Sequence, residues 1–112
     1  MTTTTTRPAA LDAPPNAELL RALADPLRAQ IVMRLAAEQL CTCHLVEATG
    51  AKQTNITNHL RVLREAGLLD TEPCGRFTYY RLRPEPLAAL AGAFGALAER
   101  TTGLEQRKRP CT

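Results

Sequence analysis

The chain has 112 residues, 45% of them apolar, and a formal net charge of +3, which predicts one soluble globular domain with a core of modest size. No apolar run approaches the ~20 residues of a bilayer span, and residues 1–17 lack the apolar stretch of a secretory signal, so a membrane protein is excluded and a cytoplasmic location is expected. In that reducing compartment the four cysteines read as ligands, sensors or buried small residues rather than structural disulfides.

Residues 1–15 carry a threonine run and then Pro8, Pro14 and Pro15, too polar and interrupted to pack, and are expected to form a disordered arm. Folding is expected from Asn16, with Leu19, Leu20 and Leu23 as the apolar stripe of a short helix. Asp25 is an N-cap candidate and Pro26 suits the first position of the next helix, whose buried face is Leu27, Ile31 and Leu35. The stretch HLVEATG reads as a short helix closed by Gly50, and AKQTNITNHLRVLREAG as a longer one closed by Gly67. Two helices joined by a tight glycine turn form a helix-turn-helix candidate. The pattern then changes period: Leu68 to Glu72 and Phe77 to Tyr80 flank a turn from Pro73 to Arg76, which predicts a β-hairpin. The last helix places Leu87, Leu90, Ala91, Phe94, Leu97 and Ala98 at helical spacing with almost no charge between Pro86 and Glu99. A helix so apolar requires a partner, and a second copy is the simplest one, since Gly92 and Gly95 permit close approach. The expected architecture is mainly α with a small β-hairpin, a winged helix-turn-helix dimeric through its terminal helices. The domain spans residues 16–102 and a basic flexible tail spans 103–112.

Charge is unevenly spread. Residues 12–47 carry five acids against Arg21, Arg28 and Arg34, whereas residues 52–83 carry six bases against Glu65, Asp70 and Glu72. The basic middle suits a polyanionic partner, although an ordinary solvated surface has the same composition. On a helix at ~100° per residue, Ile56, Leu60 and Leu63 share the core arc, while Thr54, Thr57, Asn58 and Arg61 share the opposite one. These short polar groups match base edges and phosphates in a major groove. Arg76 at the hairpin tip and Arg81 along its strand are placed to reach a neighbouring phosphate.

The run from Gln53 to Leu82, preceded by ALADPLRAQIVMRL, resembles the ArsR/SmtB family of winged helix-turn-helix repressors. The likeness extends from Glu18 to Arg100. It rests on Asp25-Pro26-Leu27-Arg28, on His59-Leu60 followed by Leu63-Arg64-Glu65-Ala66-Gly67-Leu68, and on Gly75-Arg76 with Tyr79-Tyr80-Arg81-Leu82. It implies a cytoplasmic homodimer that holds double-stranded operator DNA and leaves it on binding a toxic metal or metalloid, and no enzymatic activity. The DNA-contacting residues would be Lys52, Gln53, Thr54, Thr57, Asn58, Arg61, Arg76 and Arg81. Lys52 departs from the family's usual serine; lysine offers no acceptor for capping, so either the helix start is looser or Lys52 contacts a phosphate.

The sequence LCTCH, residues 40–44, admits three readings: metal ligands, a redox pair, or small residues in a core. Residues two apart on a regular helix point ~200° from each other, so Cys41 and Cys43 share one ion only where the helix is just starting. A helix start also favours the thiolate. The resemblance decides for ligands, because the arsenic-responsive branch opens this helix with Leu-Cys-x-Cys. It implies arsenite or antimonite as the inducer, with cadmium, lead or thiol oxidation as the alternative. A third cysteine common in those relatives is Val46 here, and Cys111 of the tail is the preferred replacement. Cys74, in the wing turn, reads rather as a small turn residue, and His44, which could ligate zinc or cadmium, rather as a polar residue at the helix start; both stay open as the third ligand, as does an exogenous thiol. Residues 86–98 hold no Asp, Glu or His, which argues against the terminal-helix zinc site of other relatives. A thiol oxidoreductase is disfavoured by the lack of a βαβ pattern or Gly-rich cofactor loop.

Overall fold

The computed structural model describes residues 16–111; the arm expected over 1–15 lies outside them. Helix α1 spans Ala17–Leu23 and α2 spans Pro26–Leu35. Between them, Asp25 adopts extended backbone and its carboxylate accepts from the N–H of Leu27 at 2.8 Å and of Arg28 at 3.1 Å, with Pro26 at the first helical position. The Arg28 N–H, reinforced by that of Leu27, holds the Asp25 carboxyl below the usual carboxylate range against the opposing effect of burial.

After α2 the chain forms a strand that the sequence pattern does not announce, β1, Leu40–Cys41. Helix α3, Thr42–Thr49, follows at once and ends at Gly50, whose φ of 74° is a conformation in which a Cβ is strained. Helix α4, Gln53–Glu65, starts two residues later at Lys52, whose side chain makes no capping bond, as its lack of an acceptor requires. Ile56, Leu60 and Leu63 of α4 are buried, as their periodicity predicts.

The hairpin is longer than the sequence reading. Strand β2 runs Leu69–Cys74 and β3 runs Phe77–Leu82, so Pro73 and Cys74 belong to the strand and the turn is only Gly75 and Arg76. The sheet order is β1-β3-β2, which makes β2 an edge. A proline there is tolerated because its missing N–H is not needed by a neighbour. Of the two turn residues only Gly75 has positive φ, the pattern of a two-residue turn that leads with glycine. In the sheet Cys41 lies opposite Tyr79 and Leu40 opposite Tyr80, so β1 ties the start of α3 to the wing.

The core combines Leu19 and Ala22 of α1, Ile31 and Leu35 of α2, Leu45 of α3, the α4 stripe, Leu68, Leu69, and Leu90 of the last helix. That helix, α5, spans Pro84–Arg100 and buries only Leu90, leaving Phe94 and Leu97 exposed. A Cβ built at Gly92 or Gly95 would meet nothing. The chain continues into a 3₁₀ turn, Leu104–Gln106, and residues 107–111 have no regular structure.

Candidate metal centre and nucleic-acid interface

Cys41 is the N-cap of α3, with extended φ and ψ of −95° and 173°, and Cys43 lies on the first turn. This break in helical geometry lets the two sulfurs converge to 2.7 Å, where a regular helix would hold them apart. The cap is reciprocal: the Cys41 sulfur faces the N–H of His44, and the Cys41 N–H donates to His44 Nδ1 at 3.1 Å. His44 Nδ1 also lies 3.2 Å from Cys41 Sγ. From the sequence His44 is a polar residue at the helix start and, second, a candidate third ligand; its three-residue spacing from Cys41 is the signal of the capping box that joins the two.

Burial pushes the Cys41 thiol up, but the hydrogen bond from Cys43 and the N–H groups of His44 and Cys43 outweigh it, so Cys41 sits below the ordinary thiol value. Cys43 donates to Cys41 and is pushed up in consequence. Of the two, Cys41 is therefore the thiol that gives up its proton more readily. Among the described residues, the one cluster of ligand-type side chains is Cys41, Cys43 and His44, with their donor atoms all within 4.8 Å. Cys74 and Cys111 are exposed and stand outside it.

The His44 ring packs on Tyr79 of β3, centroids 5.9 Å apart and tilted by 55°. Both rings border an open groove of about 780 Å³ whose other walls include Met33 and Arg34 of α2 together with Glu38. The thiol site thus touches α3, the wing strand and solvent at once.

On α4, Gln53, Thr54, Thr57, Asn58 and Arg61 are all exposed, as is Lys52. Arg61 donates to Asn58 Oδ1 at 3.0 Å, which orders the outer face. At the wing Arg76 is exposed, whereas Arg81 lies 3.7 Å from Asp70 and 3.4 Å from Glu72. Two carboxylates thus already occupy the cation expected to reach a phosphate. His59 joins helices: Arg28 Nη1 donates to its Nδ1 at 3.0 Å, while Arg28 Nε and Nη2 donate to the carbonyls of Ala22 at 2.6 Å and Arg21 at 3.3 Å.

Residues 25–71, from the Asp25 cap through the first residues of β2, match the model of the bacterial regulatory protein arsR family. A solved structure of a possible transcriptional regulator for arsenical resistance is 38% identical, with a TM-score of 0.65 over 71% of this chain and 83% of that one. This chain belongs to the ArsR family. Its members are regulatory proteins, and the fold is their winged helix-turn-helix. The HTH-type transcriptional repressor SmtB of Mycobacterium tuberculosis is 44% identical over 71 residues, 63% of this chain and 53% of that protein. The match therefore spans about half the length of that curated relative. A homodimeric winged helix-turn-helix DNA-binding domain from Mycobacterium bovis is 29% identical, covering 99% of this ArsR-family chain and all of that one with a TM-score of 0.67. No helix among the described residues is long and apolar enough to cross a membrane.

Proposed function

We propose that this ArsR-family protein is a cytoplasmic homodimeric repressor, held on operator DNA in its free state and released when trivalent arsenic or antimony binds its cysteine thiolates. The carrying observation is the convergence of Cys41 and Cys43 at the N-cap of α3, one short helix before α4. A soft ion prefers thiolates, and the lowered Cys41 supplies the first. Cys111 brings the third sulfur from the tail, of the same protomer or of its partner. Binding draws the Cys41 sulfur away from the N–H groups that it caps, so the start of α3 shifts, and α4 follows through the turn at Gly50. Residues 16–102 are the DNA-binding and dimerisation unit, and 103–112 the basic tail.

The operator contacts are Lys52, Gln53, Thr54, Thr57, Asn58 and Arg61 of the α4 region and Arg76 of the wing, with Arg81 contributing once freed from Asp70 and Glu72. Dimerisation through α5 is supported by the exposure of Phe94 and Leu97 and by the free space at Gly92 and Gly95, and by the homodimer of the M. bovis relative. A site-selected duplex tests the reading: arsenite should release wild-type protein and leave Cys41→Ser/Cys43→Ser bound. Release of the double variant would reject these sensors.

The 2.7 Å sulfur separation also favours a second reading, in which peroxide takes two electrons from the pair, giving a disulfide and water. Operator release by peroxide, with none by arsenite under strict reduction, selects it.

A further inference from the structure

Residues 16–106 hold ten bases and ten acids, residues 1–15 one of each, and residues 107–112 three bases and no acid, so the whole net charge of +3 lies in the tail. The folded unit that would meet a polyanion is itself neutral. Resting on the reading of this chain as an operator-binding protein, we propose that Arg107, Lys108 and Arg109 form a sequence-independent anchor on the DNA sugar-phosphate backbone, supplying the electrostatic attraction that the folded unit lacks.

Three observations carry this. Many cations of the folded unit are already committed. Arg81 and Arg83 face Asp70, Glu72 and Glu85 at 3.4 to 4.0 Å, and Arg28 holds His59 and the carbonyls of Ala22 and Arg21. Of the contact residues proposed above, Lys52, Arg61 and Arg76 are the cations left outside these pairs, and all three are exposed; the tail doubles their number. Next, Arg107, Lys108 and Arg109 are themselves exposed, and no ion pair among the described residues involves them. Finally, residues 107–111 have no regular structure once the 3₁₀ turn ends at Gln106, and Pro110 disfavours helical backbone at Arg109. Extended, these five residues reach up to about 17 Å. They are tethered to the same protomer that docks α4, so they meet flanking phosphates at the raised effective concentration of a short linker. Neutralising a phosphate releases its counterion and demands no fixed geometry, which suits an irregular segment.

The chemistry favours duplex DNA over other polyanions. Recognition of anionic lipid takes clusters of about four or more cations with apolar residues to insert, and the tail has three cations with no aromatic or aliphatic side chain among residues 105–112. The exposed polar face of α4 suits the wide major groove of B-form DNA, whereas that of duplex RNA is too narrow to be read. The duplex is thus the polyanion that the rest of the protomer brings within reach.

The test measures binding of the full chain to a site-selected duplex and to a scrambled one by anisotropy across a salt series. In Arg107→Gln/Lys108→Gln/Arg109→Gln the slope of log K against log salt should fall by about 5 for the dimer, 0.9 for each of six cations. At low salt both duplexes should bind at least ~10-fold more weakly, with the preference for the selected site unchanged. Arg107→Lys/Arg109→Lys, which keeps the charge, should retain the wild-type slope. Both variants lie outside the helices and strands and keep Cys111, so circular dichroism should match wild type. An unchanged slope in the glutamine variant overturns the anchor while wild-type binding leaves the operator reading standing. Loss on the selected duplex alone would make the tail a reader of bases and also overturns it. Loss of binding to phosphatidylglycerol vesicles with the duplex slope intact assigns the tail to membranes and overturns it too. Wild-type protein that binds neither duplex at any salt sinks the operator reading, and the anchor with it.

Discussion

The most decisive structural perturbation is Phe94→Ala on the exposed face of α5. Phe94 is 44% exposed in the protomer; for a side chain of ~200 Å² that leaves ~90 Å² to be covered by a partner. At about 25 cal/mol per Å² this is ~2 kcal/mol, and a two-fold interface counts it twice. Truncation should therefore weaken the dimer by up to ~4 kcal/mol, about a thousandfold in Kd, read by sedimentation velocity across a dilution series. Gly95→Leu gives the complementary sign. Its Cβ meets nothing within 4 Å in the protomer, and replacing a mid-helix glycine favours the helix by ~0.5–1 kcal/mol, so the monomer should melt higher while the dimer fails to form. Unchanged association in both variants would refute α5 as the interface and leave its apolar face without an explanation.

Arg28→Ala removes the donor to Ala22, Arg21 and His59 together. It should cost about 2 kcal/mol and lower Tm by ~8–16 °C, and Arg28→Lys should recover only part, because an ammonium cannot reproduce the fork. Asp25→Asn keeps the cap but not the charge. The folded Asp25 carboxyl lies below its unfolded value, so its contribution is present above pH ~3.9 and is lost as pH falls through the folded value. The Tm difference between wild type and Asp25→Asn should accordingly vanish in acid. For DNA binding, Arg76→Ala should reduce the slope of log K against log salt by about 0.9 per protomer, whereas Arg81→Ala, already paired with Asp70 and Glu72, should change it little.

Local signals carried much of this architecture. Asp25 followed by Pro26 marks the start of α2, and the period of Ile56, Leu60 and Leu63 marks the buried face of α4, because caps and amphipathic stripes are written within a few residues. Strand β1 was illegible: two residues have no period, and Leu40–Cys41 is a strand only because β3 lies beside it. Pro73 and Cys74 read as turn because proline rarely enters strands, and only the sheet order reveals that β2 is an edge. The cysteines stood out by type and spacing, and their convergence followed from placing the pair at a helix start. His44 stood out as a possible ligand beside them, but its capping bond did not, since that depends on a side chain folding back onto the Cys41 N–H. The carboxylates opposing Arg81 are set by β2–β3 register, which the sequence does not state.

The central claim is that an ion held by Cys41 and Cys43 loosens the grip of α4 on DNA. Fluorescence anisotropy of a site-selected labelled duplex, titrated with arsenite under reducing conditions, measures it directly. Wild type should lose affinity at least ~10-fold, a coupling of about 1.4 kcal/mol or more, and Cys41→Ser/Cys43→Ser should hold the duplex at every arsenite concentration. Equal curves for the two proteins, whether both release or both remain bound, would contradict the account.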